Sequence, residues 1–199
     1  DALGDDDAAL LFGAPHVVRN GDAEFKYRPD SDVFYLSGWE DPEVVLLFRP
    51  GSEQPFVMFV QPKDPAMEIW TGRRWGPDGA VDRFGVDAAY PYAELATRLP
   101  DLLQGYRNLH YRFADDADRD QLLIGALKSA RRKARRNGMA VPDAFIDPSR
   151  TLHELRLVKS AEEIEILQKA SDITASAHSA AMAITQGGVH EYALESIID

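Results

Sequence analysis

Short apolar runs separated by turn-forming residues dominate the first half of the chain. Four of them occupy residues 8–12, 33–36, 44–48 and 56–60. Proline lies two residues beyond the end of each of the last two runs. Apolar runs of this length between turn signals are typical of buried strands. Residues 108–113 alternate more clearly between apolar and polar, which predicts a further strand nearer the edge of a sheet.

Helical patterns lie between these runs. Residues 92–103 carry leucines at helical spacing, with Pro100 as an expected break. Residues 118–137 form a longer amphipathic pattern, and Asn137 followed by Gly138 is a favourable way to end it. Strands that alternate with helices predict an α/β layered domain.

The pattern changes near residue 148. Residues 148–157 predict a short helix, and Ser160 with Glu163 fits a capping box that opens a long helix with one apolar stripe. A last helical segment begins near His190 and ends on apolar residues without a capping residue. An amphipathic helix needs a partner surface, so we expect the chain to be a piece of a longer protein.

Composition excludes several classes of function. The 199 residues carry a formal net charge of −11, which disfavours nucleic acid as a partner. No apolar run approaches the roughly 20 residues that span a bilayer. There is no cysteine, which excludes disulfides and thiolate metal sites and suits a reducing cytoplasm.

One basic cluster departs from the overall acidity. It consists of Lys128, Arg131, Arg132, Lys133, Arg135 and Arg136. A solvated helix face explains it, because cations near a helix C-terminus are favoured by the helix dipole. A contact of one member with an anion or a substrate is the alternative.

A search for a self-contained active site finds none. His153 and Glu154 begin like a zinc-protease motif, but Leu157 stands where the second histidine is required. The five histidines are scattered singly, and Asp5, Asp6 and Asp7 lack the spaced ligands of a calcium loop. The sequence also lacks a nucleophile elbow, a P-loop and a dinucleotide fingerprint.

Two stretches have unusual compositions. One begins at Tyr27 and reads Y-R-P-D-S-D-V-F-Y-L-S-G; the other begins at Glu68 and reads E-I-W-T-G-R-R-W-G. The second predicts either a loop that offers flat aromatic faces and guanidinium groups to a ligand or a neighbouring subunit, or a β-turn with its tryptophans packed on the local core. Composition alone favours neither.

These stretches resemble the bacterial aminopeptidase P (Xaa-Pro aminopeptidase) family of the creatinase and prolidase group. A third matching segment, H-E-L-R-L-V-K-S, begins at His153, and the three occur in the family's order over about 130 residues. The E-I-W-T-G-R-R segment is more similar to aminopeptidase P than to prolidase or creatinase. A prolidase, and a catalytically silent creatinase-like interaction or oligomerisation domain, remain the alternatives.

The resemblance implies a fold and a domain order. It implies an α/β creatinase-like N-terminal domain, with a mixed β-sheet flanked by helices, over residues 1–148. A linker helix over 149–159 and the first helices of an incomplete "pita-bread" catalytic domain over 160–199 would follow.

The resemblance also implies the activity and its requirements. The family removes the residue that precedes proline at a peptide N-terminus, using two divalent metal ions, most often manganese. Its metal ligands lie beyond the position that matches Asp199, so we expect no catalytic residue, no bound metal and no activity in this chain alone. A peptide with proline at its second position, a homo-oligomer (dimer or tetramer) and a cytoplasmic location are further expectations.

Two residues of this chain are similar to family positions at the edge of the substrate site. Trp70 matches an aromatic residue that comes from a neighbouring subunit and would pack against substrate. Arg136 would bind a peptide carbonyl or carboxylate, although a one-residue slip in the match would exchange it with Arg135.

Overall fold

The computed structural model describes residues 3–199, which form two compact units. The first unit ends at Leu152 and the second begins at His153. Strands of the described chain are β1 (Asp7–Phe12), β2 (Val18–Asn20), β3 (Ala23–Glu24), β4 (Val45–Phe48), β5 (Phe56–Val60), β6 (Ala88–Pro91), β7 (Asn108–His110) and β8 (Ala144–Ile146). Helices are α1 (Ser31–Ser37), α2 (Pro65–Thr71), α3 (Gly76–Phe84), α4 (Leu95–Leu102), α5 (Ala117–Asn137), α6 (Ser149–Leu157), α7 (Ala161–Ile184) and α8 (Glu191–Ile198).

The first unit is built on a mixed six-stranded sheet with the order β6-β5-β4-β1-β7-β8. Strand β4 pairs antiparallel with β1 and β5, and every other pairing in the sheet is parallel. The predicted strands at 8–12, 44–48 and 56–60 are confirmed, and so is the α/β fold class with a mixed sheet flanked by helices. Strands β2 and β3 form a separate small hairpin.

Both faces of the sheet are covered, which explains the continuous apolar runs. One face packs against leucines of α4 and α5 through Leu10, Leu47 and Phe59. The other packs against α1, α3 and α6 through Leu46 and Met58. Residues from both sets alternate along each strand, so the central strands have no solvent-facing side.

The predicted strand at 33–36 is wrong, because these residues lie in helix α1. The carboxylate of Asp30 accepts hydrogen bonds from the backbone N–H groups of Asp32 and Val33 at 2.9 and 3.0 Å. Gly38 ends the helix at a φ of 68°, a left-handed conformation that glycine adopts without strain. A cap at each end thus overrides the β propensity of a run of only four residues.

Two further expectations are corrected in the second half of this unit. Strand β7 is second from one edge of the sheet, as a strand nearer an edge should be, but it covers only Asn108–His110 rather than residues 108–113. The edge belongs to β8, a three-residue strand that its sequence pattern does not predict. Pro100 lies inside α4 without breaking it, because the buried leucines of that helix offset one lost hydrogen bond.

The second unit contains α7 and α8, as the pattern after residue 159 predicts. The capping box is confirmed: Ser160 Oγ accepts the Glu163 N–H at 3.2 Å, and Glu163 Oε2 accepts the Ser160 N–H at 2.8 Å. Across the described residues, every helix falls short of the length and apolar character that crossing a membrane would require.

A half-buried ion pair connects three parts of the first unit. Arg112, just after β7, donates from Nη2 to Asp32 Oδ2 of α1 at 2.8 Å and from Nε to Ser149 Oγ of α6 at 3.2 Å. The Asp32 side chain is only 6% exposed, so its charge depends strongly on its protein partners.

Replacement of Arg112 by methionine should therefore lower the free energy of unfolding by about 2 kcal/mol, since one buried charge loses its cationic partner. Lys133→Met is the control, because the Lys133–Asp101 pair at 2.6 Å is solvent-exposed and should contribute less than about 0.5 kcal/mol. Urea denaturation at pH 7 measures both. Equal losses of unfolding free energy in the two variants would show that the Arg112–Asp32 pair stabilises the fold no more than an exposed ion pair does.

Candidate functional site

The parallel strands of the sheet direct their C-terminal ends to one edge. Strands β1, β5, β6, β7 and β8 share one direction, since β4 is antiparallel to both of its neighbours. In open α/β sheets, ligands bind outside the carboxyl ends of the strands. The loops and helices that follow these strands are therefore the first place to look for a site.

An open groove of about 720 Å³ lies at this edge, between the β2–β3 hairpin, the segment after α1 and helix α2. Its charged lining consists of Glu24, Lys26, Glu40, Asp41, Arg73 and Arg74, and its apolar lining includes Tyr27, Phe34 and Met67. Opposite charges are balanced across the groove. Such a surface suits a dipolar ligand better than a multiply charged anion.

Helix α2 carries the first tryptophan of the unusual 68–76 segment. The carboxylate of Asp64 caps the helix by accepting from Ala66 and Met67 N–H at 3.1 and 3.2 Å. The Trp70 side chain is 84% exposed and Ile69 is 79% exposed, and no residue of α2 is buried. Trp70 thus presents a free aromatic face to its surroundings.

The second tryptophan of the segment behaves in the opposite way. Trp75 packs against the core cluster that contains Trp39 and contacts Phe84 edge-on at 6.2 Å between ring centroids. The guanidinium carbons of Arg83 and Arg73 lie 4.3 and 5.3 Å from its ring centroid. One tryptophan of the segment is therefore exposed and the other packed, and the segment is a helix followed by a short loop rather than a β-turn.

Asp41 lies in the groove wall beside this loop. Burial raises the pKa of its carboxyl group, and the Trp75 backbone N–H and the Arg74 charge oppose that shift. Within residues 3–199, Asp41 Oδ2 and Arg74 Nε are buried and make no hydrogen bond. The groove wall thus holds a carboxyl group and a guanidinium group that each have one buried polar atom without a hydrogen bond.

Arg136 lies in the last turn of α5, far from α2. That helix starts after the C-terminal end of β7 and runs for 21 residues, which is roughly 30 Å at 1.5 Å per residue. Its end is fixed at the opposite edge of the sheet, where Asn137 Nδ2 donates to Gln104 Oε1 at 2.8 Å. The structure therefore does not bring Trp70 and Arg136 together within one chain.

Two other members of the basic cluster have partners. Lys133 pairs with Asp101, and Arg131 donates to the Pro142 carbonyl at 3.3 Å. Arg135 and Arg136 are both exposed, so exposure does not distinguish between them.

A second, smaller cavity at the same edge does not follow from the sequence patterns. It has a volume of about 30 Å³, enough for a water molecule, and is lined by Asp32, Arg112, Asp116 and Arg119 among others. The only sequence feature that points to this cavity is the pair of aspartates, Asp30 and Asp32, in the unusual first stretch. Their role as helix cap and buried ion-pair partner becomes apparent only when 33–36 is recognised as a helix.

The groove and the cavity do not fit a metal centre. In the part of the chain that the structure describes, no three histidine, aspartate or glutamate side chains are grouped so that they could hold a metal ion. Binding and positioning of a ligand are therefore the chemistry that the residues around the groove can supply.

Asp41→Asn should raise the free energy of unfolding at pH 7. Folding raises the pKa of this carboxyl above its ordinary value of 3.8, so the folded state disfavours the ionised form. The free-energy cost of ionising this carboxyl in the folded protein is fully present above the folded-state pKa and absent below the unfolded-state pKa. The stability advantage of the variant should therefore shrink as the pH falls toward 4. Denaturation from pH 4 to 8 measures it.

An exposed carboxylate that does not act on Asp41 provides the control for that experiment. Glu53→Gln should change the free energy of unfolding by less than about 0.5 kcal/mol at every pH. A pH-independent difference for Asp41→Asn, or a larger advantage at pH 4 than at pH 7, would contradict the raised pKa.

Comparison with known proteins identifies the family. The model of the aminopeptidase P N-terminal domain matches residues 1–111. The Xaa-Pro aminopeptidase of Escherichia coli K12 is 39% identical over 193 residues, which cover 96% of this chain and 44% of that protein. The solved structure of Pseudomonas aeruginosa aminopeptidase PepP superimposes with a TM-score of 0.90 at 36% identity, covering 98% of this chain and 44% of the other.

A zinc-substituted E. coli aminopeptidase P in complex with product also matches, with a TM-score of 0.88 at 38% identity, over 98% of this chain and 45% of that one. The chain thus spans less than half the length of these relatives. The matching segments, the mixed sheet and the superposition agree: the chain belongs to the aminopeptidase P N-terminal domain family.

Proposed function

We propose that this chain is the N-terminal part of a metal-dependent Xaa-Pro aminopeptidase, which removes the residue that precedes proline at a peptide N-terminus. The observation that carries the proposal is the match, along almost the entire chain, to enzymes with that name. We also propose a peptide substrate with proline at its second position and a cytoplasmic location.

The proposed domain order assigns residues 1–148 to the N-terminal domain, 149–159 to a linker helix and 160–199 to the start of the catalytic domain. Helix α6 and the capping box at Ser160 support these boundaries, because each marks a local restart of the chain. The catalytic centre then lies in the part of the relatives that this chain does not span.

Two divalent metal ions, most often manganese, are proposed for that centre. A metal pair lowers the pKa of a bound water and so supplies a hydroxide nucleophile at neutral pH. The zinc-substituted relative supports a divalent metal without favouring manganese. The residues of this chain would contribute shape, assembly and substrate contacts.

Trp70 is the proposed aromatic contact of this chain with substrate, given across a subunit boundary in a homo-oligomer. Its support is a fully presented indole on a helix that buries none of its side chains. A flat apolar face is suited to a prolyl ring, which has no backbone N–H to donate.

Arg136 is the proposed partner of a substrate carbonyl or carboxylate. A guanidinium group donates two parallel hydrogen bonds to a carboxylate, and Arg136 is exposed at a helix end. Its position at the opposite edge of the sheet from α2 means that Trp70 and Arg136 serve different substrate ends or different subunits.

Trp70→Ala in the full-length protein should lower kcat/KM for a Xaa-Pro peptide by about fivefold or more, the effect expected of an aromatic anchor. Thermal stability should barely change, because an exposed side chain contributes little to the core. Ile69→Ala, the equally exposed neighbour, is the matched control. Unchanged kinetics together with a large fall in the melting temperature would assign Trp70 a structural role.

The chain of residues 1–199 alone should show no Xaa-Pro aminopeptidase activity when manganese is added, because it lacks a metal-binding cluster within its described residues. The assay measures release of the first residue from an Arg-Pro-Pro peptide by chain purified free of the longer enzyme. Metal-stimulated turnover by that sample would refute the proposed location of the catalytic centre.

A further inference from the structure

Helix α2 needs contacts from residues outside the helix to fix its direction, because none of its own seven residues is buried. Its N-terminal end is fixed by reciprocal bonds: the Asp64 carboxylate caps the helix, and Glu68 Oε1 accepts the Asp64 N–H at 3.2 Å. Fixing one end leaves the direction of a short surface helix undetermined. The orientation of Trp70, one residue before the last, therefore depends on what holds the C-terminal end.

Trp75 provides an anchor just beyond that end. Its indole lies along α3, where Gly79 leaves room for it: a Cβ added at Gly79 would lie 3.0 Å from Trp75 Cβ and 3.6 Å from Cε3. The Arg83 guanidinium, one helical turn further, completes the contact at 4.3 Å from the ring centroid. Residues 75, 79 and 83 are four apart and so lie along one face of the helix.

The anchor is connected to α2 by a short link. Only Gly72, Arg73 and Arg74 separate Thr71 from Trp75. Arg74 Nη2 donates to Thr71 Oγ1 at 3.4 Å, and the Arg73 guanidinium lies 5.3 Å from the Trp75 ring centroid. The Trp75 backbone N–H also acts on the Asp41 carboxylate, lowering its pKa against the effect of burial. The place where α2 ends is thus determined by the place where Trp75 is held.

We propose that Trp75 and Arg83 are positioning residues for Trp70: the stack of Trp75 on Gly79 and Arg83 sets the direction of α2 and thereby the presentation of the Trp70 indole. Neither residue touches substrate. The inference rests on the proposed role of Trp70 in the Xaa-Pro aminopeptidase. It means that residues outside the substrate contact help to determine specificity.

The kinetic test uses the full-length protein with the variants Arg83→Gln and Arg83→Lys. Arg83→Gln should lower kcat/KM for a Xaa-Pro peptide about twofold to fivefold, the range expected when one exposed cation–π contact is lost. Arg83→Lys, which keeps the cation, should restore most of it. Arg98→Gln is the control, since Arg98 lies 3.9 Å from the Tyr90 ring centroid in an equivalent contact away from α2.

A double-mutant cycle shows whether the effect passes through Trp70. In a Trp70→Ala background, Arg83→Gln should have no additional effect on kcat/KM. An equal additional loss in that background would overturn the proposal, because Arg83 would then act by another route.

A structural readout separates failure of this inference from failure of the proposed function. Labelling with 5-fluorotryptophan gives one ¹⁹F resonance for each of Trp39, Trp70 and Trp75, and single substitutions assign them. Arg83→Gln should move the Trp70 and Trp75 resonances. A shift of Trp75 without any change at Trp70 would overturn the positioning role, whatever the kinetics.

Gly79→Ala gives a second, independent perturbation of the stack. It should also move the Trp70 resonance, because the added methyl group displaces the indole, whereas Gly125→Ala, with no heavy atom within 4 Å of its added Cβ, should not. Suppose that Trp70→Ala leaves turnover unchanged, while Arg83→Gln and Gly79→Ala still move the Trp70 resonance in protein that retains Trp70. The substrate role of Trp70 then fails, and the positioning of α2 by Trp75 stands.

Discussion

The central strands of the sheet are buried on both faces, and the arrangement of the first unit follows from that constraint. Val45, Leu46 and Leu47 in β4 and Val57 to Val60 in β5 are completely inaccessible to solvent. Such strands are stable only when helices cover both sides, so α4 and α5 occupy one face and α1, α3 and α6 the other. The connections then leave the C-terminal ends of five strands free at one edge, where the groove lies.

The same constraint explains which parts of the fold are predictable. Strands buried on both faces require continuous apolar runs, so β1, β4 and β5 can be identified from sequence. The run at 33–36 imitates a strand because Asp30 and Gly38, which cap it as a helix, lie outside the run itself. Strand β8 escapes prediction because three partly exposed residues carry no periodic signal.

The candidate site is predictable in composition but not in geometry. Two tryptophans five residues apart have the same chemistry, and only the fold shows that Trp70 faces outward while Trp75 packs. The packing of Trp75 has a signal in the sequence, since Trp75, Gly79 and Arg83 are spaced to lie along one helix face. No local pattern places Arg136 at the opposite edge from α2, because that follows from the length of α5 and the order of the strands.

We propose that this chain shapes and assembles a peptidase specific for a residue before proline. The most direct measurement compares, for the full-length protein, release of the first residue from two peptides that differ only in proline or alanine at the second position. We expect release from the proline peptide alone, lost with a chelator and restored by manganese. Cleavage of both peptides at similar rates, or of neither by folded, metal-loaded protein, would contradict it.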